Sequence, residues 1–528
     1  MNEPWVLYED EHILVVHKPA GVRTHKADPH GQEGLYEWVA RQRAETTLAI
    51  LHRLDKGTSG VLVFGKTPEA NRSLEEQLRK RKLEKTYQLL TLHDPKRPQS
   101  LTCDHRIRQK RKGGFQDREA VTDYTLEEER GGLARYRAQP HTGRTHQVRL
   151  HAARLGFPLL GDVQYEGPGG ARLFLHAERL ALAHPLDQRR LELHAPLPRS
   201  FREALESGAQ ASPQVAARAA REAREVLFEP GHTDAYLLVD RHHDGFPDLR
   251  VERYGEVGRI LRYDTRDAPL PKLWVEALLE EGGLKALVEQ RRAKGGGDVA
   301  AQCIAGQLAA PRFQVKELGL SYWIDLEASP TSSGLFLDQR ETRRRLMSAD
   351  LSGQTLLNAF AHTGSLSVAA AKGGAETLTL DLSKRYLDWA RENLLLNGVD
   401  PEDHDFLYGD ALDWLRRLAT KKRKFDTVLL DPPSSSTSGK GRKKRRWIVE
   451  RDLAELTERG ARLVAKEGLL FVSTNLRRMV WPRFLEQLAE GISAAGRTGK
   501  VTTQTVPLDY RTGAGDPAYL KAAWVRLN

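Results

Sequence analysis

The first half of the chain carries a dense cluster of chemically useful side chains around one aspartate. Asp55 stands in the segment 52–60, between Arg53 and Lys56, and the segment then enters an apolar strand. A carboxylate beside cations stays ionised because opposite charge lowers its pKa. Asp55 could therefore act as a nucleophile or as an electrostatic stabiliser. For a lone aspartate, an ordinary ion pair in a turn is the alternative.

A second segment, residues 143–151, is dense in hydrogen-bond donors that alternate with apolar residues. At the edge of a strand or a helix it would present Arg144 and His146 to phosphate oxygens or to a base. Between the two segments, Tyr87 offers an aromatic ring on which a base could stack. Together these features shift the balance from a salt-bridged turn toward a site that handles a nucleotide.

In the second half of the chain, acidic residues follow successive apolar strands. Asp381 ends one strand, where a carboxylate commonly receives ribose hydroxyls. Asp410 follows the next apparent strand, where it could bond an adenine amino group, and Asp431 begins an Asp-Pro-Pro-Ser segment that could shape a reacting pocket. Each aspartate could instead cap a helix. Three of them at successive strand ends favour a ligand site.

A glycine turn precedes the first of these aspartates. Residues 356–365 run from an apolar strand through Asn358, Phe360, Thr363 and Gly364 into an alanine-rich helix. A strand, a glycine turn and a helix commonly cradle a nucleotide-like ligand at the carboxyl end of a parallel sheet. The segment is neither GxGxxG nor GxxxxGKS, so a nicotinamide or ATP site is disfavoured.

The elements that must position these residues follow from the hydrophobic pattern. Short β-branched runs at 13–16 and 60–64 predict strands around the first site. Farther along, strands separated by helical stretches predict a parallel sheet with helices on both faces. The strands of that sheet are expected to contain residues 356–357, 378–380, 405–409, 428–430 and 469–472.

Composition restricts the class of protein. The length of 528 residues predicts two or more domains, and 40% hydrophobic with 29% charged residues indicate a globular chain. A formal charge of +11 points to nucleic acid or an anionic membrane surface as a partner, with an ordinary basic enzyme as the alternative. Basic clusters that favour a phosphate-tracking surface occur at 79–82, 108–112, 421–424 and 440–446.

The cysteines and the apolar runs exclude further classes. Only Cys103 and Cys303 are present, which excludes a disulfide framework, a cysteine zinc cluster and an iron–sulfur site. The sequence has no run of about 18 apolar residues and no signal pattern at its start. We expect a cytoplasmic protein with no metal site and no membrane partner.

The motifs of the first half occur in a recognisable order, at residues 9–21, 52–60, 85–87, 143–151, 161–165 and 176–177. With them, the first 205 residues resemble the RluA family of RNA pseudouridine synthases. The resemblance implies an α+β fold with a mixed sheet. It also implies isomerisation of a flipped-out uridine to pseudouridine without a cofactor. Many relatives carry a small RNA-binding domain in front. Here the motifs begin near Trp5, so the C-terminal half is expected to supply RNA affinity.

The same resemblance implies roles for individual residues. Asp55 would attack the ribose C1′, or act through a glycal, so that uracil is released, rotates and reattaches through carbon 5. Tyr87 would pack on the target base and assist proton removal. Arg149 would hold the Asp55 carboxylate ionised and oriented. The implied RNA contacts are those of Arg53, Arg144 and His146.

Residues 229–528 are similar to the RlmI and RlmK type of S-adenosylmethionine-dependent methyltransferases, which modify large-subunit ribosomal RNA. The similarity rests on the segments 244–249, 253–255, 334–340, 358–364, 381–383, 393–397 and 431–433. It implies that S-adenosylmethionine is held by Asn358, Phe360, Thr363, Gly364, Asp381, Asp410 and Asp431. It further implies a methyl-acceptor pocket formed by Pro432, Pro433, Ser434 and Asn475.

The residue types restrict which base is methylated. Methylation of cytosine carbon 5 needs a cysteine nucleophile, and both cysteines precede residue 304, outside the relevant segments. Enzymes that methylate an adenine amine usually have an aromatic residue after the two prolines. This chain has Ser434 there, which disfavours that reaction. The segments 471–478 and 509–510 resemble the RlmK group, which makes N7-methylguanosine. Guanine N7 has no proton to lose, so positioning alone could suffice.

We therefore predict a bifunctional enzyme that forms pseudouridine and methylates guanine N7, acting on large-subunit ribosomal RNA. The alternatives are a single activity with the other half as an RNA-binding module, a non-catalytic ribosome-assembly factor, and transfer RNA as substrate. The oligomeric state is left open. The predicted parts are an α+β synthase domain at 1–205, a helical linker at 206–228, a small α+β domain at 229–333 and a Rossmann-like, doubly wound α/β methyltransferase domain at 334–528.

Overall fold

A computed structural model describes nine stretches of the chain. They are residues 3–43, 47–111, 114–208, 212–263, 268–290, 301–327, 332–438, 445–513 and 519–528. Of the predicted basic clusters, Lys112 and residues 440–444 lie outside the described residues.

The first part is built on a mixed sheet of ten strands. Strand β4 runs parallel to β11, and the other described pairings in this sheet are antiparallel. Two further strands, β7 and β8, form a separate hairpin. The strands are β1 (Val6–Glu9), β2 (Ile13–Lys18), β3 (Ala49–Ile50), β4 (Ser59–Gly65), β5 (Glu84–Leu92), β6 (Ser100–Cys103), β7 (Ile107–Arg111), β8 (Gly114–Arg118), β9 (Thr122–Arg130), β10 (Leu133–Pro140), β11 (Leu175–Ala183) and β12 (Arg190–His194). The helices are α1 (Leu35–Gln42), α2 (Pro68–Arg79) and α3 (Gln147–Arg154).

Two helices connect this sheet to the next one. Helix α4 (Arg199–Ser207) packs Phe201 against residues of the first sheet, and α5 (Pro213–Glu225) packs its alanines against the second. Helix α5 thus lies within the predicted linker at 206–228, whereas α4 lies mostly before it, and each helix packs into a neighbouring core. The second sheet has the order β13-β14-β15-β16-β17. Its elements are β13 (Ala235–Asp240), β14 (Leu249–Tyr254), β15 (Val257–Arg262), α6 (Lys272–Glu280), β16 (Ala286–Gln290) and β17 (Gln302–Gly306), followed by the hairpin β18 (Arg312–Glu317) and β19 (Leu320–Asp325).

The last part is a sheet of seven strands in the order β22-β21-β20-β23-β26-β28-β27. The first five of these strands are parallel, and β28 joins β26 and β27 in antiparallel pairs. The strands are β20 (Thr355–Ala359), β21 (Glu376–Asp381), β22 (Asp405–Tyr408), β23 (Phe425–Leu430), β24 (Ser435–Ser438), β25 (Arg445–Ile448), β26 (Val464–Thr474), β27 (Gly499–Gln504) and β28 (Lys521–Leu527); β24 and β25 pair only with each other. The helices are α7 (Arg340–Ser348), α8 (Ser365–Lys372), α9 (Lys384–Leu396), α10 (Ala411–Thr420), α11 (Val449–Ala461) and α12 (Trp481–Ala494).

Alternate residues of the parallel strands feed two separate cores, one on each face of the sheet. Leu356 and Phe471 join the core that contains α8 and α9, whereas their neighbours Leu357 and Leu470 join the core that contains α10, α11 and α12. Helices on both faces explain why these strands are apolar throughout. The predicted doubly wound α/β fold is confirmed, as is the mixed sheet of the first part. The longest helix in the described part of the chain has 14 residues, and none there could cross a membrane.

One segment near the end of the chain contacts the first part. Gln32 Nε2 donates to the carbonyl oxygens of Pro507 and Tyr510, each at 2.8 Å, and Thr512 Oγ1 donates to Gln32 Oε1 at 3.0 Å. Lys56 Nζ donates to the Thr512 carbonyl oxygen. Because Lys56 follows Asp55 in the chain, the segment reaches the first candidate site.

Candidate active sites

The loop between β3 and β4 positions Asp55. Thr24 Oγ1 donates to the Leu54 carbonyl oxygen at 2.9 Å and accepts from the Leu54 backbone N–H at 3.1 Å. The loop enters β4 through Gly60, whose φ is +121°. A Cβ at Gly60 would lie 2.1 Å from the carbonyl oxygen of Ala177, so the parallel approach of β4 to β11 requires glycine there.

Arg149 and Asp55 meet, as the resemblance implies. Arg149 Nη1 donates to Asp55 Oδ2 at 3.2 Å, while Nε and Nη2 donate to the two carboxylate oxygens of Asp162 at 2.7 Å each. The Asp162 side chain has no exposed surface. Burial opposes the charge on Arg149, but the hydrogen bonds and charge of Asp162, and then of Asp55, raise its pKa. The guanidinium is thus fixed by Asp162 and turned toward Asp55.

His146 lies on the other side of the Asp55 carboxylate. Its Nε2 is 3.7 Å from Asp55 Oδ1, and its Nδ1 is 2.8 Å from the Tyr165 hydroxyl. His146 has a φ of +57°, an uncommon value for a residue other than glycine, directly before α3. Burial lowers the pKa of His146 despite the nearby Asp55 charge. We therefore expect a neutral imidazole at pH 7.

Asp55 and Tyr87 line one cavity of about 1070 Å³. Nine arginine or lysine side chains also line it, against one acidic side chain, Asp55, among the described lining residues. Burial, and next the Asp55 charge, raise the pKa of Tyr87 well above its ordinary value, so its phenol stays neutral. Arg53 is exposed at the rim, and Arg144 is held by donating from Nε to the Glu119 carbonyl oxygen at 2.9 Å. The excess of cations suits a phosphate backbone.

In the second site, the carboxyl ends of neighbouring strands bring Asp381 beside the glycine turn. Asp381 ends β21, and its carboxylate accepts from the backbone N–H groups of His362 and Ser383, each at 2.8 Å. Burial raises the pKa of Asp381. The partly exposed carboxylate thus orders the turn after β20, and it retains lone pairs for ribose hydroxyls.

The turn itself has a strained backbone that shapes a cradle. Phe360, His362 and Gly364 have φ values of +63°, +52° and +73°. A Cβ on Gly364 would lie 2.5 Å from the Ala390 Cβ, so α9 packs directly on this glycine. Asn358 Oδ1 and His362 Nε2 are buried there without a hydrogen-bond partner in the described part of the chain. Buried polar atoms in a strained turn fit a polar, nucleoside-like cofactor.

Thr363 and Asp410 have structural partners as well. Thr363 is buried, and its hydroxyl donates to the Gly334 carbonyl oxygen. Asp410 is the N-cap of α10 and accepts from the Asp413 N–H at 3.1 Å, the alternative that the sequence left open for each aspartate. Asp410 thus caps a helix, whereas Thr363, which lies within the strained turn itself, is tied by its hydroxyl to Gly334.

The predicted acceptor residues come together from two strands. Asp431 accepts from the Ser473 hydroxyl at the end of β26, and Ser434 Oγ donates to Asn475 Oδ1 at 3.2 Å. Pro432 between them is buried, and Pro433 is exposed. The segment after β23 and the segment after β26 thus face each other, with Asp431 at the base.

A further buried carboxyl, Asp338, adjoins Asp431 and has no role in the sequence-based prediction. It is 5% exposed, and burial and the Asp431 charge raise its pKa to about 7. Arg343, the next charge that acts on it, donates twice to Glu317 and once to the Phe336 carbonyl oxygen. Among the described residues, no cation therefore forms an ion pair with Asp338. In the sequence, Asp338 stands out only because it lies within the methyltransferase-like segment 334–340. In the same way, Asp162 stands out only because it lies within the synthase-like segment 161–165.

Two protein families match separate parts of the chain. Residues 12–154 match the RNA pseudouridylate synthase family, and residues 277–491 match the S-adenosylmethionine-dependent methyltransferases. The predicted cofactor of the second site, S-adenosylmethionine, is thereby confirmed.

Named relatives match the second part. Ribosomal RNA large subunit methyltransferase K of Neisseria meningitidis serogroup B is 32% identical over 292 residues, which cover 53% of this chain and 77% of that protein. Ribosomal RNA large subunit methyltransferase K/L of Allochromatium vinosum is 40% identical over 198 residues, 37% of this chain and 25% of that protein. This chain thus spans a quarter of the length of the second relative.

A solved structure agrees in fold. A methyltransferase crystallised with SAH aligns with a TM-score of 0.54 at 23% identity, covering 67% of this chain and 89% of that chain. The chain belongs to the S-adenosylmethionine-dependent methyltransferases of the ribosomal RNA large subunit methyltransferase K type, and the same polypeptide carries an N-terminal domain of the RNA pseudouridylate synthase family.

Proposed function

We propose that this chain is a bifunctional RNA-modifying enzyme, which converts one uridine to pseudouridine and methylates one guanine at N7. The observation that carries the proposal is the arrangement around Asp55. Arg149 is clamped by Asp162 and directs one N–H at the Asp55 carboxylate, inside a cavity lined by nine cationic side chains. Such a clamped ion pair within a phosphate-binding cavity suits chemistry on RNA.

In the pseudouridine reaction, Asp55 is the nucleophile. Its carboxylate attacks the ribose C1′ and displaces uracil through N1, and the rotated uracil then reattaches through carbon 5 and releases the carboxylate. Carbon 5 gives up its proton and N1, which carries none in uridine, gains one, so the atoms balance and the reaction is an isomerisation. Arg149 orients the carboxylate, and the neutral Tyr87 ring packs on the base. His146, Arg53 and Arg144 hold the flipped-out nucleotide and its backbone.

In the methylation reaction, the turn after β20 and Asp381 hold the cofactor. Asn358, Phe360 and Gly364 form the cradle, and Asp381 receives the ribose hydroxyls. Bound S-adenosylmethionine supplies an electrophilic methyl group. Thr363 and Asp410 support this site through their structural contacts rather than by direct bonds.

The acceptor base lies against Asp431, Pro432, Pro433, Ser434 and Asn475, and guanine N7 fits this pocket best. N7 carries a lone pair and no proton, so the chain needs only to orient the base and exclude water. Both cysteines lie on other sheets, Cys103 in β6 and Cys303 in β17, so a covalent route to cytosine carbon 5 lacks its nucleophile.

Large-subunit ribosomal RNA is the proposed substrate, because the relatives that match the second part are named for that RNA. With this substrate we place the enzyme in the cytoplasm. Transfer RNA is the alternative substrate of the first site.

Mass-spectrometric mapping of ribosomal and transfer RNA from a strain that lacks the gene tests the proposal. We expect the loss of one pseudouridine and one N7-methylguanosine from large-subunit ribosomal RNA. If pseudouridine is lost from transfer RNA alone, transfer RNA is the substrate of pseudouridine formation. Unchanged levels of both nucleosides would overturn the proposal.

A further inference from the structure

Five side chains from the second sheet, the seven-stranded sheet and the segments beside them form an alternating stack of rings and guanidinium groups. The Arg477 guanidinium lies 5.7 Å from the ring centre of Tyr263 and 5.3 Å from that of Tyr519. The Arg250 guanidinium lies 4.7 Å from the Tyr519 ring centre and 5.4 Å from that of Tyr510. The order is Tyr263, Arg477, Tyr519, Arg250, Tyr510. We refer to these five residues as the Tyr–Arg stack.

The inner end of the stack adjoins the acceptor residues. The negative charge of Asp338 acts on both Tyr510 and Tyr519, and Asp338 in turn lies within the field of Asp431. From the other side, Arg477 follows two residues after Asn475, which accepts from Ser434. The stack therefore lies near the acceptor residues.

The outer end of the stack is open. The Tyr263 side chain is 46% exposed and Arg477 is half-buried, whereas Arg250 and Tyr510 are buried. If these side chains served only to join the two sheets, the exposed Tyr263 ring would add little to that contact. A row of planar groups that leads from solvent to a reacting pocket suits a ligand with planar groups of its own.

Positive charge is concentrated around the same end. Asp240 accepts from both Arg241, at 3.3 Å, and Arg250, at 3.0 Å, so one carboxylate is divided between two guanidinium groups. Burial, and then the charges of Arg250 and Arg241, lower the pKa of Arg477. Burial and Arg477 lower the pKa of Lys521 to about 8. These mutually repelling cations favour an anionic ligand beside the rings.

We propose that the Tyr–Arg stack binds a single-stranded segment of RNA next to the nucleotide that is methylated. Bases stack on Tyr263 and on the Arg477 plane, and Arg241 and Arg477 contact the adjoining phosphates. The Asp-Pro-Pro-Ser segment has no aromatic side chain, so the stack supplies the flat surface that the acceptor strand needs. The inference rests on the proposed methylation, and it names the surface along which the RNA substrate reaches the methylation site.

Steady-state kinetics of methyl transfer to RNA test the inference. Tyr263→Ala and Arg477→Ala should each raise the KM for RNA by about 5- to 100-fold, the range expected for loss of one base stack. Tyr263→Phe keeps the ring and should restore a KM near that of the unaltered chain. Calorimetric affinity for S-adenosylmethionine and pseudouridine formation should not change.

Arg417→Ala serves as the matched control, because it also removes a guanidinium over an aromatic ring, Trp414 at 5.2 Å, at an exposed position of α10. The KM for RNA should be unaffected by it. Arg477→Ala should also reduce the dependence of log KM on log salt concentration by about one phosphate contact. An unchanged KM in both Tyr263→Ala and Arg477→Ala would overturn the inference while the proposed methylation stands.

A second readout does not depend on methyl transfer. A short single-stranded RNA that contains 4-thiouridine, irradiated with the unaltered chain, should crosslink to peptides containing Tyr263 or Tyr519. Such crosslinks without any methyl transfer would support the stack and contradict the proposed methylation. Crosslinks confined to the cavity around Asp55 would overturn the stack.

Discussion

At the scale of single residues, the two buried carboxyl groups of Asp162 and Asp338 differ in whether a cation pairs with them. Asp162 has a complete partner, because both of its oxygens accept from Arg149 at 2.7 Å. In the part of the chain that the structure describes, Asp338 has no such partner, since Arg343 is bonded to Glu317 and Arg250 to Asp240. The first arrangement fixes a side chain that serves the Asp55 site. The second arrangement, around Asp338, disfavours the charged carboxylate because that carboxylate is buried beside Asp431.

Asp162→Asn should impair pseudouridine formation although Asp162 lies behind Arg149 and away from the base. The amide removes one of the two charged acceptors, so the guanidinium loses its fixed orientation toward Asp55, and kcat is expected to fall about 10- to 100-fold. Tritium release from RNA labelled at uridine carbon 5 measures the rate. Methyl transfer should be unaffected.

Asp187→Asn is the control for that substitution, because it removes an exposed ion pair to Arg189 at 3.2 Å on the same domain. It should leave tritium release unchanged. A rate for Asp162→Asn within twofold of the unaltered chain would contradict the positioning role.

Asp338→Asn should stabilise the protein at high pH. The pKa of Asp338 in the folded state is raised to about 7, so the folded state holds its proton where the unfolded state does not. The resulting cost grows as pH rises from about 4 and is complete above about 7. The variant lacks this cost, so its free energy of unfolding relative to the unaltered chain should rise by roughly 2 kcal/mol between pH 5 and pH 8.

Urea denaturation at the two pH values measures that difference. Glu402→Gln, at an exposed position, should show a difference near zero. A destabilised Asp338→Asn at pH 8 would mean that the carboxylate is stabilising in its charged form.

At the scale of elements, the turn after β20 depends on one glycine. Gly364 has a left-handed φ of +73°, and α9 lies so close that a new Cβ would meet the Ala390 Cβ at 2.5 Å. Gly398 has a similar φ of +68° but nothing within 4 Å of a new Cβ. A substitution at Gly364 therefore introduces both backbone strain and a steric clash, whereas the same substitution at Gly398 introduces backbone strain alone.

Gly364→Ala should weaken S-adenosylmethionine binding at least about tenfold, because the overpacked turn must shift away from α9. Gly398→Ala carries only the left-handed strain, about 1–2 kcal/mol of stability, and should bind the cofactor normally. Isothermal titration calorimetry with each variant provides the comparison. Equal affinities would show that the α9 contact does not shape the cradle.

The elements also show how far sequence alone could lead. Asp381 and Asp431 were placed at strand ends by hydrophobic pattern, and β21 and β23 end beside them as predicted. The pattern could not separate a ligand-binding aspartate from a helix cap, and Asp410 is a cap. Asp162 and Asp338 had no assigned role, because burial and charge partners depend on distant parts of the chain.

At the scale of the whole molecule, the segment 507–512 links the two sites. Tyr510 is part of the Tyr–Arg stack, and two residues later the Thr512 carbonyl oxygen accepts from Lys56, next to Asp55. Gln32 bonds this segment at three points from a position more than 470 residues away. No sequence pattern indicates a contact over that separation.

Gln32→Ala should loosen the contact between the two parts. Three hydrogen bonds are lost at about 1 kcal/mol each, so about 2–3 kcal/mol of stabilisation is expected to disappear. Differential scanning calorimetry should show a lower first transition, and Gln99→Ala, at an exposed turn, should not change it. An unchanged scan for Gln32→Ala would contradict the importance of this contact.

The most direct test of two independent catalytic sites in one chain is nucleoside mass spectrometry after reaction in vitro. Purified chain and isotopically labelled S-adenosylmethionine are incubated with RNA from a strain that lacks the gene, and Asp55→Ala and Asp381→Ala are compared with the unaltered chain. Asp55→Ala should form labelled N7-methylguanosine and no pseudouridine, and Asp381→Ala should form pseudouridine and little labelled product. Pseudouridine formed by Asp55→Ala, or no pseudouridine from the unaltered chain, would contradict the two-site account.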